Sequence, residues 1–194
     1  MANKITYGIK NVYYAPVTEA LSGSTWTVTY GTPVAMLGAR AISLSAQNEN
    51  VQFSADNNPN YFTQNIFSGY EGDITMAIVG DDFRKACLGE VQDDNGLVGQ
   101  SIDDKPKPFA LLFQFEGDDE EIRHVLYRCI AGQTDVSSKT KETTIDPNEE
   151  TISINCAGSL DKGFVKWKCK KSNTTQYNGW YTNVYVPTIT PATT

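Results

Sequence analysis

The side chains that could do chemistry in this 194-residue chain are grouped carboxylates, one histidine and four cysteines. The acids gather as Asp81-Asp82, Asp93-Asp94, Asp103-Asp104 and the run Asp118, Asp119, Glu120, Glu121. A calcium loop needs oxygens at alternating positions around a central glycine, as in DxDxDG, and none of these groups has that spacing. Paired glycosidase carboxylates can come from anywhere in a chain, so spacing does not address them. His124 lies in "IRHVLY", in register with Ile122 and Leu126, and is read as packing in or beside the core. No GxSxG elbow accompanies it, and no GxxxxGK[ST] or GxGxxG phosphate loop occurs. Cys87, Cys129, Cys156 and Cys169 include no CxxC pair, and a zinc site would want such spacing and usually histidine. They read as reduced, buried thiols. The expectation is a protein with no catalytic residues, no metal and no cofactor.

Composition narrows the partners. The chain is 40% hydrophobic and 20% charged, with a net charge of −7. A general nucleic-acid surface needs clustered Lys and Arg, which this balance opposes. No apolar run approaches the roughly 20 residues that span a bilayer, and the first residues carry no leader-like apolar core. The expectation is action without export and without membrane insertion.

The elements that must position these groups have a period of two. "TWTVTY", "AISLSA", "TISINCA" and "GFVKWKCKK" each alternate apolar and polar residues, the reading for half-buried antiparallel strands. In the last, Val165, Trp167 and Cys169 share one face, and Lys166, Lys168 and Lys170 the other. Further strands are expected over about Ile5–Tyr14, Val51–Ala55, Ile74–Val79, Phe109–Glu116, Arg123–Ala131 and Tyr181–Val186. "GDDFRKACLGE" predicts one short helix, with Asp81 or Asp82 as N-cap, Phe83 and Cys87 facing inward, Arg84 and Lys85 outward, and Gly89 as the stop. The fold class is mainly β, an antiparallel β-sandwich with a flanking helix. A single domain is expected over 1–187, with an extended tail over 188–194.

Two segments read as irregular. Glu90–Pro108 is polar and long for an idle connection. "NNPNYFTQNIFSGYEG", Asn57–Gly72, sets Tyr61, Phe62, Ile66, Phe67 and Tyr70 among loop-forming residues. Either it folds back on its own sheet or another subunit covers it. The acidic run Asp118–Glu121 reads as the wet turn of a hairpin between Phe109–Phe115 and Arg123–Cys129. The lysine strip reads first as a solvated face guarding an edge, and second as a partner for acids of a neighbouring subunit. Trp167, Trp180 and Tyr181 could alternatively line a glycan-binding groove.

The order of segments is familiar. "ITYGIKNVYYAPVT", "YGTPVAMLGARAISLSAQ", "FSADNNPNYF", "GYEGDITMAIVGDDFRKACLGE", "DDKPKPFALLFQFEGDDEEIRHVLYRCIA", "KTKETTIDPNEETISINCA" and "YNGWYTNVYVPT" together resemble the major tail (tail tube) proteins of long non-contractile-tailed bacteriophages. The resemblance implies a β-sandwich that joins through its sheets into hexameric rings, which stack into the virion's tail tube. It implies assembly in the host cytoplasm around a tape-measure protein, with tip or baseplate and tail terminator proteins at the ends. DNA would pass through without specific binding, helped by an acidic lumen. On this reading Asn60, Tyr61, Phe62, Ile66, Phe67 and Tyr70 form the ring-stacking loop. Asp93, Asp94, Asp103, Asp104, Asp118, Asp119, Glu120 and Glu121 are the candidate lumen or interface acids, Lys166, Lys168 and Lys170 the candidate interface lysines, and "VPTITPATT" a terminal arm. The alternatives are the inner tube of a contractile device and a carbohydrate-binding β-sandwich.

Overall fold

The alternating segments become strands of one antiparallel sheet in the computed structural model, which describes residues 5–138, 140 and 147–189. The strands are β1 (Tyr7–Ser22), β2 (Thr25–Tyr30), β3 (Val34–Ala35), β4 (Ala39–Ala55), β5 (Asn58–Met76), β6 (Val91–Gln92), β7 (Val98–Gly99), β8 (Phe109–Glu116), β9 (Arg123–Ala131), β10 (Glu150–Ala157) and β11 (Lys166–Cys169). Two short helices join them, α1 (Asp81–Phe83), continued by a π turn over Arg84–Leu88, and α2 (Thr174–Asn178). The main sheet runs β2-β1-β8-β9-β10-β5-β4, with β11 added to β9 and β3 to β1, while β6 and β7 pair separately. The protein is mainly β, with a sandwich-like arrangement, as expected.

β8, "FALLFQFE", sits mid-sheet and is buried on both faces, because each face carries its own core. Phe109, Leu111 and Phe113 join Val12, Tyr14, Ile74, Met76, Ile152, Ile154 and Cys156 in the first core. Phe83, Cys87 and Leu88 of the helical segment close that core. The sheet bends around it until Tyr7 and Ile9 of β1 flank a cleft with Arg40 and Ile42 of β4. Ala110 and Leu112 point the other way, into a second core with Ala15, Val17, Val125, Tyr127 and Cys169.

The second core needs a lid, and the chain between 174 and 185 provides it. Tyr177 and Trp180 are buried there. Trp180 Nε1 donates to the His124 carbonyl at 3.3 Å, and the Tyr127 hydroxyl to the Tyr185 carbonyl at 2.8 Å. The strand expected over Tyr181–Val186 does not form. Its aromatics serve a helical turn and an irregular cover instead, because the free side of β9 is already taken by β10 and β11. Those two strands are one strand interrupted, since both run antiparallel to β9, at Ala131–Arg128 and Leu126–Arg123. The residues between them loop out.

The helix begins one residue earlier than expected. Gly80 occupies the N-cap, and Asp81 and Asp82 fall in the first turn, where carboxylates complement the helix dipole. Gly89, at φ 84°, ends the helix as predicted. Arg84 does not face outward. Its Nη2 donates to Glu150 at 2.6 Å, its Nη1 to Thr134 at 3.0 Å, and its Nε to the Val79 carbonyl at 3.3 Å. The guanidinium thus ties the helix to the start of β10.

Candidate assembly surface

The segment read as an aromatic loop is a strand. β4 and β5 pair from Ala39–Met76 out to Ala55–Asn58, forming one long hairpin. Its turn uses Asp56 and Asn57 at φ 51° and 58°, the pair of left-handed residues that a tight hairpin turn requires. Asn57-Asn58-Pro59-Asn60 has the composition of a loop, and it is this composition that conceals the strand. Asn57 completes the turn, and Asn58, Pro59 and Asn60 already belong to the return strand.

The hairpin has two parts. Near the sheet, β5 is flanked by both β4 and β10, over Tyr70–Met76. Beyond Gly69 it loses β10 and projects as a two-stranded ribbon. The change occurs at a bulge, where Gln47 pairs with Gly69 but Asn48 with Phe67, leaving Ser68 as the extra residue. From Asn48 to Ser68 every residue is exposed except half-buried Ala55. At about 3.3 Å per residue the ribbon reaches roughly 25 Å.

Cross-strand partners share a face of a ribbon. Val51 pairs with Gln64, Phe53 with Phe62 and Glu49 with Ile66, so Val51, Phe53, Phe62 and Ile66 form one apolar stripe. Each remains substantially exposed, up to 60% at Phe53. The opposite face carries Asn48, Asn50, Gln52, Thr63 and Asn65 together with the exposed rings of Tyr61 and Phe67. Of the expected loop residues, Asn60, Tyr61, Phe62, Ile66 and Phe67 lie on this ribbon. Tyr70 does not, being half-buried at its base beside the first core. There Phe67 meets the Tyr70 ring edge-on at 5.4 Å, and Lys166 Nζ stands 4.6 Å from the same ring. Val51 and Phe53 were missing from the predicted surface. Their signal was the alternation Val51-Gln52-Phe53 leading into an Asp-Asn turn.

The acidic run has a local purpose. It is the turn of the β8–β9 hairpin, whose register runs from Phe109–Cys129 to Gln114–Arg123. The Asp118 carboxylate accepts from the backbone of Glu120 at 3.0 Å and of Ile122 at 3.1 Å. Glu120 pairs with Lys170 at 2.9 Å and Glu121 with Lys171. The Lys171 ammonium holds the Glu121 carboxyl below the usual range. Glu120, Glu121 and Lys170 are therefore matched within one chain, across the end of β11. Asp119 stands in the same exposed turn.

The other acids sit in Glu90–Pro108, whose irregularity is broken by the small β6–β7 hairpin. Asp93 folds that turn, accepting from the backbone of Leu97 at 2.7 Å and of Asn95 at 2.9 Å, and these bonds lower its pKa. Asp104 accepts from the Ser101 backbone at 2.7 Å. Asp94 and Asp103 are exposed. Lys166 and Lys168 lie on the exposed face of β11, as the alternation predicted.

Both ends of the sheet are open. β2 pairs only with β1, and β4 only with β5. "TWTVTY" of β2 has no charge, Pro or Gly, while β4 carries only Arg40 and Glu49 as charges along its 17 residues, so both edges are lightly guarded against pairing.

The remaining chemical candidates are absorbed by the fold. His124 packs against Phe113 and Phe115, with ring centroids 5.2 and 5.5 Å away. Burial, assisted by Lys166 and Lys168, lowers its pKa from 6.5 to about 4. Between those values the unfolded chain binds a proton that the folded chain refuses. His124 therefore costs nothing above pH 6.5, and stability falls as pH drops from 6.5 toward 4. Urea titrations of the protein and of His124→Phe should diverge only in that window, the variant losing less stability on acidification. Parallel curves would refute this role.

Trp180 is buried, Tyr181 stacks on Tyr13 at 4.5 Å, and Trp167 packs beside Phe164, so the three do not line an open groove. All four cysteines are free and buried. Among the described residues no group of three His, Cys, Asp or Glu could hold a metal ion. None of the helices described is long and apolar enough to cross a membrane. The terminal arm expected at "VPTITPATT" lies, from residue 190 on, outside the described residues. Comparison of the chain with protein families, and with curated proteins, finds no match.

Proposed function

We propose that the protein is a structural subunit that assembles with copies of itself into rings, stacked as a tube of the kind phage tails use. The observation carrying this reading is the ribbon Asn48–Phe67, a two-stranded projection whose apolar stripe is left exposed by the described residues. A lone two-stranded hairpin is at best marginally stable in water, so a ribbon of this length calls for a second surface. The lightly guarded β2 and β4 edges supply a matching logic. They lie at opposite ends of the strand order, so pairing the edge of one copy with the other edge of the next is a heterologous contact, which gives a ring where the rotation between copies closes and a filament where it does not.

In this proposal β2–β4 pairing makes a ring, hexameric by the family resemblance, and the ribbon lies against a neighbouring copy within or between rings. The net charge of −7 suits a conduit through which DNA moves without adhering. Tape-measure, tip and terminator proteins would be its assembly partners, and the virion tail its destination. The candidate lumen acids divide under this reading. Glu120 and Glu121 are paired with lysines of the same subunit, and the aspartates Asp93, Asp94, Asp103, Asp104, Asp118 and Asp119 are the better candidates for a charged wall.

Negative-stain electron microscopy of the purified protein over a rising concentration series tests the proposal. Rings or hollow tubes are expected. A protein that stays monomeric at every concentration, and also with a tail tip complex added as initiator, would overturn it.

A further inference from the structure

The thiols of Cys129 and Cys156 face one another in the first core, with Sγ atoms 2.8 Å apart. They are directly opposed in the β9–β10 register. Cross-strand neighbours hold their Cβ atoms about 4.5–5.5 Å apart, close to the 3.5–4.5 Å of a disulfide, so a small adjustment closes the bond. We propose that Cys129 and Cys156 are a disulfide-forming site of the folded sheet, with a peroxide as oxidant. One thiol reduces hydrogen peroxide, forming a sulfenic acid and releasing water. The second sulfur then attacks the first, expelling the hydroxyl as another water. Two thiols and one peroxide thus give one disulfide and two waters.

The other cysteines are placed differently. Cys169 belongs to the core on the opposite face of the sheet. Cys87 shares the first core but comes from the π turn, with no strand register to align it. Burial and the neighbouring Cys156 raise the Cys129 thiol above its ordinary 9.0, so the reaction is slow at neutral pH and quickens as pH rises.

The site's position gives the bond a consequence. β9 and β10 share four register pairs, against seven between β10 and β5. The β9–β10 seam is where the half of the sheet bearing the long ribbon joins the other half. A covalent link there would staple the two, closing the chain between residues 129 and 156.

The test is to treat the folded protein with hydrogen peroxide at mildly alkaline pH, and separately to refold it from denaturant with the same oxidant. After alkylation of remaining thiols, a non-reducing digest is mapped by mass spectrometry. The expected result is a peptide joining Cys129 to Cys156, a thiol titre falling from four to two, and a melting temperature raised by roughly 5–10 °C. Dithiothreitol should reverse all three. The Cys87→Ala, Cys169→Ala double variant should behave the same, and should it not fold, the peptide map of the unaltered chain decides alone. Alkylated Cys129 and Cys156 in both treatments, or a link from either to Cys87, would overturn the proposal.

Discussion

Gly72→Ala is expected to cost the protein most of its folding stability. Gly72 lies in β5 where that strand is flanked on both sides, opposite Leu44 of β4 and Ile154 of β10. A Cβ added there would stand 1.8 Å from the Ser43 carbonyl oxygen, 2.8 Å from its carbon and 3.0 Å from the Leu44 Cα. All three are backbone atoms held in the sheet ladder, so no side chain can rotate away. Relief requires β4 to part from β5 at the root of the ribbon. Such overpacking against backbone belongs among the largest point effects, about 4 kcal/mol or more against the 5–15 kcal/mol that holds a typical domain. Gly69→Ala meets a similar obstacle, with its Cβ 2.1 Å from the Cys156 carbonyl at φ +141°. Gly99→Ala, with nothing within 4 Å, is the control and should change stability by no more than about 0.5 kcal/mol. Denaturant midpoints read the outcome, and equal midpoints for Gly72→Ala and Gly99→Ala would refute the argument.

The double variant Phe53→Thr, Phe62→Thr is expected to leave the monomer intact and to cripple assembly. The two rings are direct cross-strand partners on the apolar stripe and stay 60% and 48% exposed. Threonine keeps the β preference while removing the apolar surface. Full burial of a phenylalanine is worth about 1.5–3 kcal/mol, and each ring here has roughly half its surface left to bury. Covering both in a neighbour would thus contribute roughly 1.5–3 kcal/mol, and losing them should raise the assembly concentration roughly tenfold to a hundredfold. Melting curves should coincide while sedimentation and microscopy differ. Unchanged assembly would remove the stripe from the interface. Deleting Asn60–Phe67 alone would strip the outer part of β4 of its partner. Replacing residues 48–67 symmetrically by an Asn-Gly turn keeps the remaining register paired.

The strands that alternate cleanly were legible because one face meets a core and the other meets water. "TISINCA" buries Ile152, Ile154 and Cys156, and "KWKC" exposes Lys166 and Lys168, as the pattern says. The helix stop at Gly89 and the β8–β9 hairpin with its acidic turn were legible for equally local reasons. Where the environment is set by distant residues, local pattern misled. The ribbon Asn48–Phe67 has no core on either face, so its period-two signal is weak and its Asn-rich turn looked like a loop. Tyr181–Val186 has strand composition, yet covers a sheet face as an irregular lid because the edge it would have joined is occupied. Arg84, outward by helix count, turns inward because Glu150, 66 positions later, waits there.

Composition and short-range order thus determined the fold class, most strands and the acidic balance, since these depend on propensity, periodicity and charge within a few residues. Only the tertiary structure decided that the sheet has two cores, and that β2 and β4 are its edges. It alone matched Glu120 and Glu121 with lysines of the same chain, and aligned Cys129 with Cys156. It alone gathered Val51, Phe53, Phe62 and Ile66 into one stripe. Those outcomes depend on strand order and register, which hydrogen bonding between residues far apart in the chain sets and no local pattern encodes.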